Sequence, residues 1–250
     1  MSPRLEGVLP YWLDRPDEEA LSIALEVRRA GLETLWIGEL ATFDAVALAT
    51  AIGHRAEGLR LKLGPLAVGV RGPASLAFAL SSVATLTGCD VDLVLGASSP
   101  VIVSGWHDRP WAHPASRMRE TIECLREILA GERSQYGGEY VRSHGFRLRR
   151  PRPQARICVA AFGPLITRVA ARYADQLVLN LVPPEHVGDV RRAVESEAAE
   201  AGRAAPELAV WVPAASTAED PAGRRVLRVI GDRFDRSAGK ISASPTAPRS

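Results

Sequence analysis

The feature that most constrains this chain is an alternation. Short apolar runs bounded by turn residues are followed by stretches in which apolar residues recur every three or four positions, and the pair repeats along residues 5–212. Runs at 5–12, 32–39, 59–70, 91–96, 156–161, 176–181 and 208–212 read as strands; stripes such as Ala20, Leu21, Ala24, Leu25 and Val27, or Met118, Ile122, Leu125, Ile128 and Leu129, read as helices. Asp14 is placed to cap the first helix, Gly31 and Gly131 to end the first and fourth, and Pro73 and Pro164 to open the third and fifth. Residues 97–115 read as a long loop, and 136–148 as a small hairpin excursion.

Strands joined in order through helices must pair in parallel by right-handed crossovers, which leaves an open doubly wound sheet or a (β/α)8 barrel. After the first run stand Pro10, Tyr11 and Trp12 rather than a glycine-rich dinucleotide loop, and other runs end in Glu39, Ser98 and Ser99, Phe162 and Gly163, and Asn180. A ring of distinctive residues at strand ends is how a barrel builds its site. The expected fold is therefore an α/β, TIM (β/α)8-type barrel, incomplete, with about seven recognisable strands. Residues 1–215 form the barrel, and 216–250 a divergent, basic, partly disordered tail. No eighth strand is legible, so a second copy of the chain or the amphipathic stretch 224–236 has to cover the gap. A homodimer is expected, using apolar helix faces such as the alanine-rich stretch 75–84.

Charge excludes other classes. The net +2 comes from the tail, where seven basic residues face four acidic ones, so the first 215 residues sit near −1 and offer no basic face to nucleic acid. Only two of the 31 basic residues are lysines, a bias of composition that makes any single arginine less telling. No run reaches the ~20 apolar residues that span a bilayer, and the N-terminus lacks a secretory pattern; the expectation is a cytoplasmic protein without membrane contact. Cys89, Cys124 and Cys158 are too far apart for a metal or redox pair and read as buried thiols. No metal site is expected, since the spacing of His107 and His113 is not that of helix ligands.

Among residues able to do chemistry, Glu39 and His107 are the candidates for acid–base work. Ser98 and Ser99 lack the following glycine of a nucleophile elbow, so they serve a ligand's polar edge or cap the next turn. Gly163 and Pro164 begin a helix after a strand, where free backbone amides favour an anion such as phosphate.

The order of motifs resembles the luciferase-like monooxygenase family, in particular members that use the deazaflavin coenzyme F420. The resemblance covers about residues 5–212. It is carried by AGLETLWIGE at 30–39, RLKLGPLAV at 60–68, LGASS at 95–99, RMRE at 117–120 and, most specifically, AAFGPLITRVAARYAD at 160–175. It implies a barrel oxidoreductase exchanging a hydride between F420 and a small organic substrate. Trp12, Leu66, Ala67, Val68, Ser98, Ser99, Ala161, Phe162, Gly163, Pro164 and Asn180 would hold the cofactor, with its phosphate at Ala161–Pro164. The resemblance also implies a bulge with a non-prolyl cis peptide within residues 65–68, behind the ring. Leu40 stands where relatives often carry a histidine after the second-strand acid. FMN is the alternative cofactor, in a monooxygenase. The early end of the pattern resembles a C-terminal truncation, or the related nonfluorescent flavoproteins, which bind flavin without known turnover.

Overall fold

The computed structural model describes residues 4–9, 18–39, 41, 43–180 and 182–212. Seven strands form one parallel sheet in the order β1 (Gly7–Val8), β2 (Thr34–Ile37), β3 (Arg60–Ala67), β4 (Val91–Gly96), β7 (Ile157–Ala161), β8 (Gln176–Asn180) and β9 (Glu207–Trp211). The helices are α1 (Glu19–Arg29), α2 (Ala45–Arg55), α3 (Pro73–Thr87), α4 (Pro114–Ala130), α5 (Pro164–Tyr173) and α6 (Pro184–Glu200). Between α4 and β7 a two-stranded hairpin, β5 (Gln135–Gly137) with β6 (Arg142–His144), realises the excursion expected there. Gly31 and Gly131 take the left-handed conformation that stops α1 and α4. Asp14, Trp12 and Leu40, like the expected boundary at residue 215 and the tail, lie outside the described residues.

The sheet curls into a nearly closed barrel. In a flat sheet β2 and β9, with four strands between them, would stand about 24 Å apart, yet the indoles of Trp36 and Trp211 pack edge to face with centroids 5.5 Å apart. Alternation along each strand then divides the side chains. Leu35, Ile37, Leu61, Leu63, Leu93, Leu95, Ile157, Val159, Leu177 and Leu179 point out into the main core beneath the helices. Trp36, Val94, Cys158 and Val178 form a second, separate cluster inside the barrel, with Val8, Ala160, Ala209 and Trp211 packed on it.

Nearer the N-terminal ends of the strands the interior is polar. Lys62, 1% exposed, donates to Glu6 Oε2 at 2.9 Å and Gln176 Oε1 at 2.7 Å, and its ammonium lies 4.2 Å from the centre of the Trp36 ring. Trp36 Nε1 donates to the same Glu6 oxygen at 2.7 Å. Gln176 Nε2 continues to Glu207, which pairs with Arg156 at 2.8 Å. Beside this network, burial pushes the Cys158 thiol up to about 12; away from it, on α4, burial and the charge of Glu127 push Cys124 up to about 11. All three cysteines are buried and free, as the sequence suggests.

Two expectations need correction. The stretch 97–115 is not all loop, because residues Val101–Trp106 form a π-helical turn. The alanines of α3 are not an outer stripe: Ala77, Ala79 and Ala84 are buried, their small side chains letting the helix lie close on the barrel, while Phe78 and Leu86 project outward at 56% and 62% exposure.

Replacing Lys62 by methionine takes the buried cation from Glu6 Oε2 and leaves that carboxylate the longer Arg4 contact at 3.4 Å and the Trp36 N–H; breaking a buried pair from one side costs roughly 3–5 kcal/mol. Urea denaturation should show that loss for Lys62→Met and a clear recovery in the Glu6→Gln/Lys62→Met double variant.

Candidate functional site

Parallel strands gather their C-terminal ends at one mouth. Each neighbouring strand there contributes a small inward residue. Ala67 on β3 pairs in register with Gly96 on β4, Gly96 with Ala160 on β7, and Ala160 with Val178 on β8, followed upward by Asn180 opposite Trp211 on β9. On β3, β4 and β7 this leaves a shallow floor with little side-chain volume above Val94 and Cys158, bordered by Val178 and Trp211.

The floor is shaped by a bulge in β3, where the register against β4 shifts between Leu63 and Leu66. Gly64 has φ +127, and a Cβ there would sit 2.1 Å from the Val94 carbonyl, so only glycine fits. Gly96 in turn admits Pro65, whose Cβ would lie 3.0 Å from a Cβ on Gly96. The cis peptide is Gly64–Pro65, which corrects the expectation of a non-prolyl one within 65–68; a prolyl bond adopts cis far more readily than any other. The bulge also decides which side chains face the mouth. Leu66 and Val68 are buried in the helix-side core, Ala161 likewise, while Ala67 and Ala160 face inward. Leu66, Val68 and Ala161 thus bring backbone rather than side chain to the floor.

Around the rim, Gly163 (φ +86) opens α5 with Pro164 in the first turn, and an added Cβ would meet nothing within 4 Å. Phe162 beside it is 66% exposed. Thr167 closes the helix start by donating to the Gly163 carbonyl, leaving the amides of Leu165 and Ile166 without helical acceptors. Ser99 accepts from the Ile102 and Val103 amides and so caps the π turn, whereas Ser98 is exposed at φ 69. All three non-glycine residues with positive φ among the described residues, Ser98, Asp108 and His113, fall in this one segment after β4. His107 ends the π turn and is exposed; His113 stacks on Tyr140 at 4.7 Å.

Glu39, two residues past β2, is not a free carboxylate. Arg71 bonds both its oxygens and also reaches Asp44 at 2.6 Å, and Asp44 caps α2 through the Val46 and Ala47 amides. Any acid–base work by Glu39 has to be done with Arg71 in place. Partial burial alone would raise the Asp44 pKa, but the hydrogen bond and charge of Arg71 and the two amides outweigh it, so Asp44 titrates below its usual 3.8. Sequence reasoning missed Arg71; one turn past β3, it carries no pattern that names its partners. It also missed Ala160, since a bulge and a strand register are needed to know which alanine faces in. Among the described residues no group of three His, Cys, Asp or Glu is arranged to hold a metal ion, and no helix is long and apolar enough to cross a membrane.

A parallel barrel with a bulged third strand and an open helix start after β7 defines the class, and comparison with known proteins names it. The luciferase-like monooxygenase family model matches residues 13–230, so the chain belongs to that family. It is similar to a 5,10-methylenetetrahydromethanopterin reductase of Archaeoglobus fulgidus (28% identical over 57% of this chain and 43% of the relative). It is also similar to an F420-dependent glucose-6-phosphate dehydrogenase of Nocardia farcinica (28% identical over 70% of this chain and 61% of the relative). The chain thus spans less than two thirds of the length of these relatives. In fold it resembles the coenzyme F420-dependent tetrahydromethanopterin reductase of Methanopyrus kandleri (TM-score 0.73, 17% identity, 84% of this chain and 66% of that one). A comparable likeness links it to the FMN complex of the oxygenating constituent of 3,6-diketocamphane monooxygenase from Pseudomonas putida (TM-score 0.72, 19% identity, 94% of this chain and 74% of that one).

The Asp44 clasp gives a signed prediction. A carboxylate depressed on folding adds stability above its unfolded pKa and loses it as pH falls through the folded value. Asn at this position keeps the helix cap, so thermal melts of Asp44→Asn should lie below the parent at pH 7. The two should converge as pH drops below about 3.8.

Proposed function

We propose that the protein is an oxidoreductase that binds coenzyme F420 at the C-terminal mouth of the barrel and serves hydride exchange with a small organic substrate. The observation that carries this reading is the floor of Ala67, Gly96 and Ala160 beside the Gly64–Pro65 bulge. It offers a flat ring a backing of backbone and small side chains, and the unobstructed α5 start lies on the adjoining strand end.

In this reading Pro65 and the 66–68 backbone support the ring face, and Gly163 with the amides of Leu165 and Ile166 receives a phosphate. Ser98, Asn180 and Trp12 contact polar and flat edges. The bound deazaflavin supplies the hydride chemistry, and the protein supplies orientation and exclusion of water. His107 is the candidate proton carrier; Glu39 acts on the ligand through the geometry that Arg71 fixes. An FMN-dependent monooxygenase is the second reading, supported by the same helix start, which suits any phosphate-bearing cofactor. Two further parts belong to the proposal. Buried, unpaired thiols suit the reducing cytoplasm. The outer face of α3, a helix without a single charged residue and with Phe78 and Leu86 exposed, suits a two-fold contact between copies.

Purified protein titrated separately with F420 and FMN, followed by ligand fluorescence, tests the cofactor. Saturable binding of F420 is expected, weakened at least tenfold by Gly163→Phe with an unchanged circular dichroism spectrum. Binding of FMN alone selects the second reading, and binding of neither refutes both. In light scattering the parent should run as a dimer and Phe78→Glu/Leu86→Glu as a monomer.

A further inference from the structure

We propose that the connection from α4 to β7 is a docking surface for an acidic segment of another protein. Residues 131–156 carry seven arginines against Glu132 and Glu139, a net +5 in a chain whose formal net charge is +2, so the remaining residues sum to −3. The near-neutral total of residues 1–215 therefore hides a basic flank. The connection climbs along α4 to Tyr140, whose carbonyl accepts from Arg117 in the first turn of that helix at 3.1 Å. It returns beside α3, where Phe146 packs on Phe78 with ring centroids 5.0 Å apart, the Arg150 carbonyl accepts from Ser81 at 3.0 Å and Arg152 donates to Thr85 at 2.7 Å. Basic residues thus border the uncharged face of α3 given above to the two-fold contact.

Arg133, Arg142, Arg147, Arg149 and Arg150 are exposed, and none has a carboxylate within 4.0 Å among the described residues. Composition does not account for this, because arginines on the adjoining elements are matched: Arg119 with Glu120 and Glu123, Arg126 with Asp175, Arg156 with Glu207, and Arg168 and Arg172 with Glu197. Nor are the unmatched groups all loose. Across the base of the hairpin the Ser134 amide donates to the Phe146 carbonyl and the Gly145 amide to the Ser134 carbonyl, both at 2.8 Å, which sets Arg133 and Arg147 at neighbouring positions. Each is pinned by a backbone carbonyl, Arg133 by Gly145 and Arg147 by Gly131, both at 2.9 Å. Like charges held next to each other repel, and fixing them in advance lowers the entropy cost of meeting an anion. What surrounds the charge selects the occupant. Planar guanidinium forks take carboxylates two bonds at a time. A single-stranded nucleic acid needs free aromatic faces for its bases, but Phe146 packs on Phe78, Tyr140 stacks on His113 and Tyr136 donates to Glu123. A lipid surface needs apolar side chains inserted beside the charges, and within the connection Val141 and Leu148 are buried.

This surface is independent of the oxidoreductase reading, and its test uses the full chain with no cofactor added. A fluorescently labelled oligoglutamate peptide should bind saturably in anisotropy titrations, more weakly as salt rises. Arg149→Ser/Arg150→Ser removes two exposed side chains and should weaken binding at least tenfold with an unchanged circular dichroism spectrum. Arg224→Ser/Arg225→Ser takes the same charge from the tail and should leave binding nearly unchanged. On the parent, the peptide should slow phenylglyoxal modification of Arg147, Arg149 and Arg150, read by peptide mass spectrometry, a result that depends on no variant folding. Equal weakening by the two double variants means attraction to net charge and overturns the proposal, as do absence of binding and absence of protection. Tighter binding of a labelled oligothymidylate, or of phosphatidylglycerol vesicles, overturns it in favour of a nucleic acid or a membrane. Dissociation of a parent dimer by Arg149→Ser/Arg150→Ser in light scattering overturns it in favour of a second copy of the chain.

Discussion

Everything at the mouth depends on how the barrel is held shut behind it, and one ammonium does much of that holding. Lys62 on β3 reaches Glu6 ahead of β1 and Gln176 on β8, and lies under the ring of Trp36 on β2. Four parts of the sheet are thereby tied through a single side chain with almost no solvent contact. A buried cation is costly unless every donor is met; here two oxygens and an aromatic face meet it. The Trp36 and Trp211 indoles extend the closure from β2 to β9.

That arrangement separates two environments along the barrel axis. Charge and amide groups crowd the N-terminal half, where Arg60, Asp92, Arg156 and Glu207 continue the network. Toward the C-terminal ends of β3, β4 and β7 the inward side chains shrink to alanine and glycine, while Val178 and Trp211 stand beside them on β8 and β9. Space at the mouth is a consequence of that gradient together with the β3 bulge. Substituents on Gly64 or Gly96 would meet Val94 or Pro65, so the close approach of β3 to β4 requires both glycines.

Much of this is legible in the sequence. Alternation gives the seven parallel strands, Gly31 and Gly131 mark helix ends, and the family resemblance rests on residues that fold where the barrel reading puts them. Facing is harder to read. A strand's period of two tells inside from outside only while the register holds, and the bulge after Leu63 breaks it, which is why Leu66 and Val68 turn to the helices and Ala67 to the mouth. In α3 the alanines look like an outer stripe because their small volume is the same clue for close packing as for exposure. Arg71 and Lys62 are single basic residues in an arginine-rich chain, and their roles come from hydrogen-bond partners 27 to 114 positions away. Glu39, Ser98, Ser99, Asn180 and the helix start at Gly163 announce themselves as strand-end features, and the first turns out to be clasped by Arg71.

The central claim is that a flat, phosphate-bearing cofactor lies across the C-terminal mouth against the β3 bulge. A crystal structure of the protein soaked with F420, and separately with FMN, tests it most directly. The account predicts ring density against Pro65 and the backbone of residues 66–68, over Gly96 and Ala160, with phosphate density at the amides following Gly163. Ordered cofactor density at the N-terminal end of the barrel or on the outer helices, with an empty mouth, would contradict it.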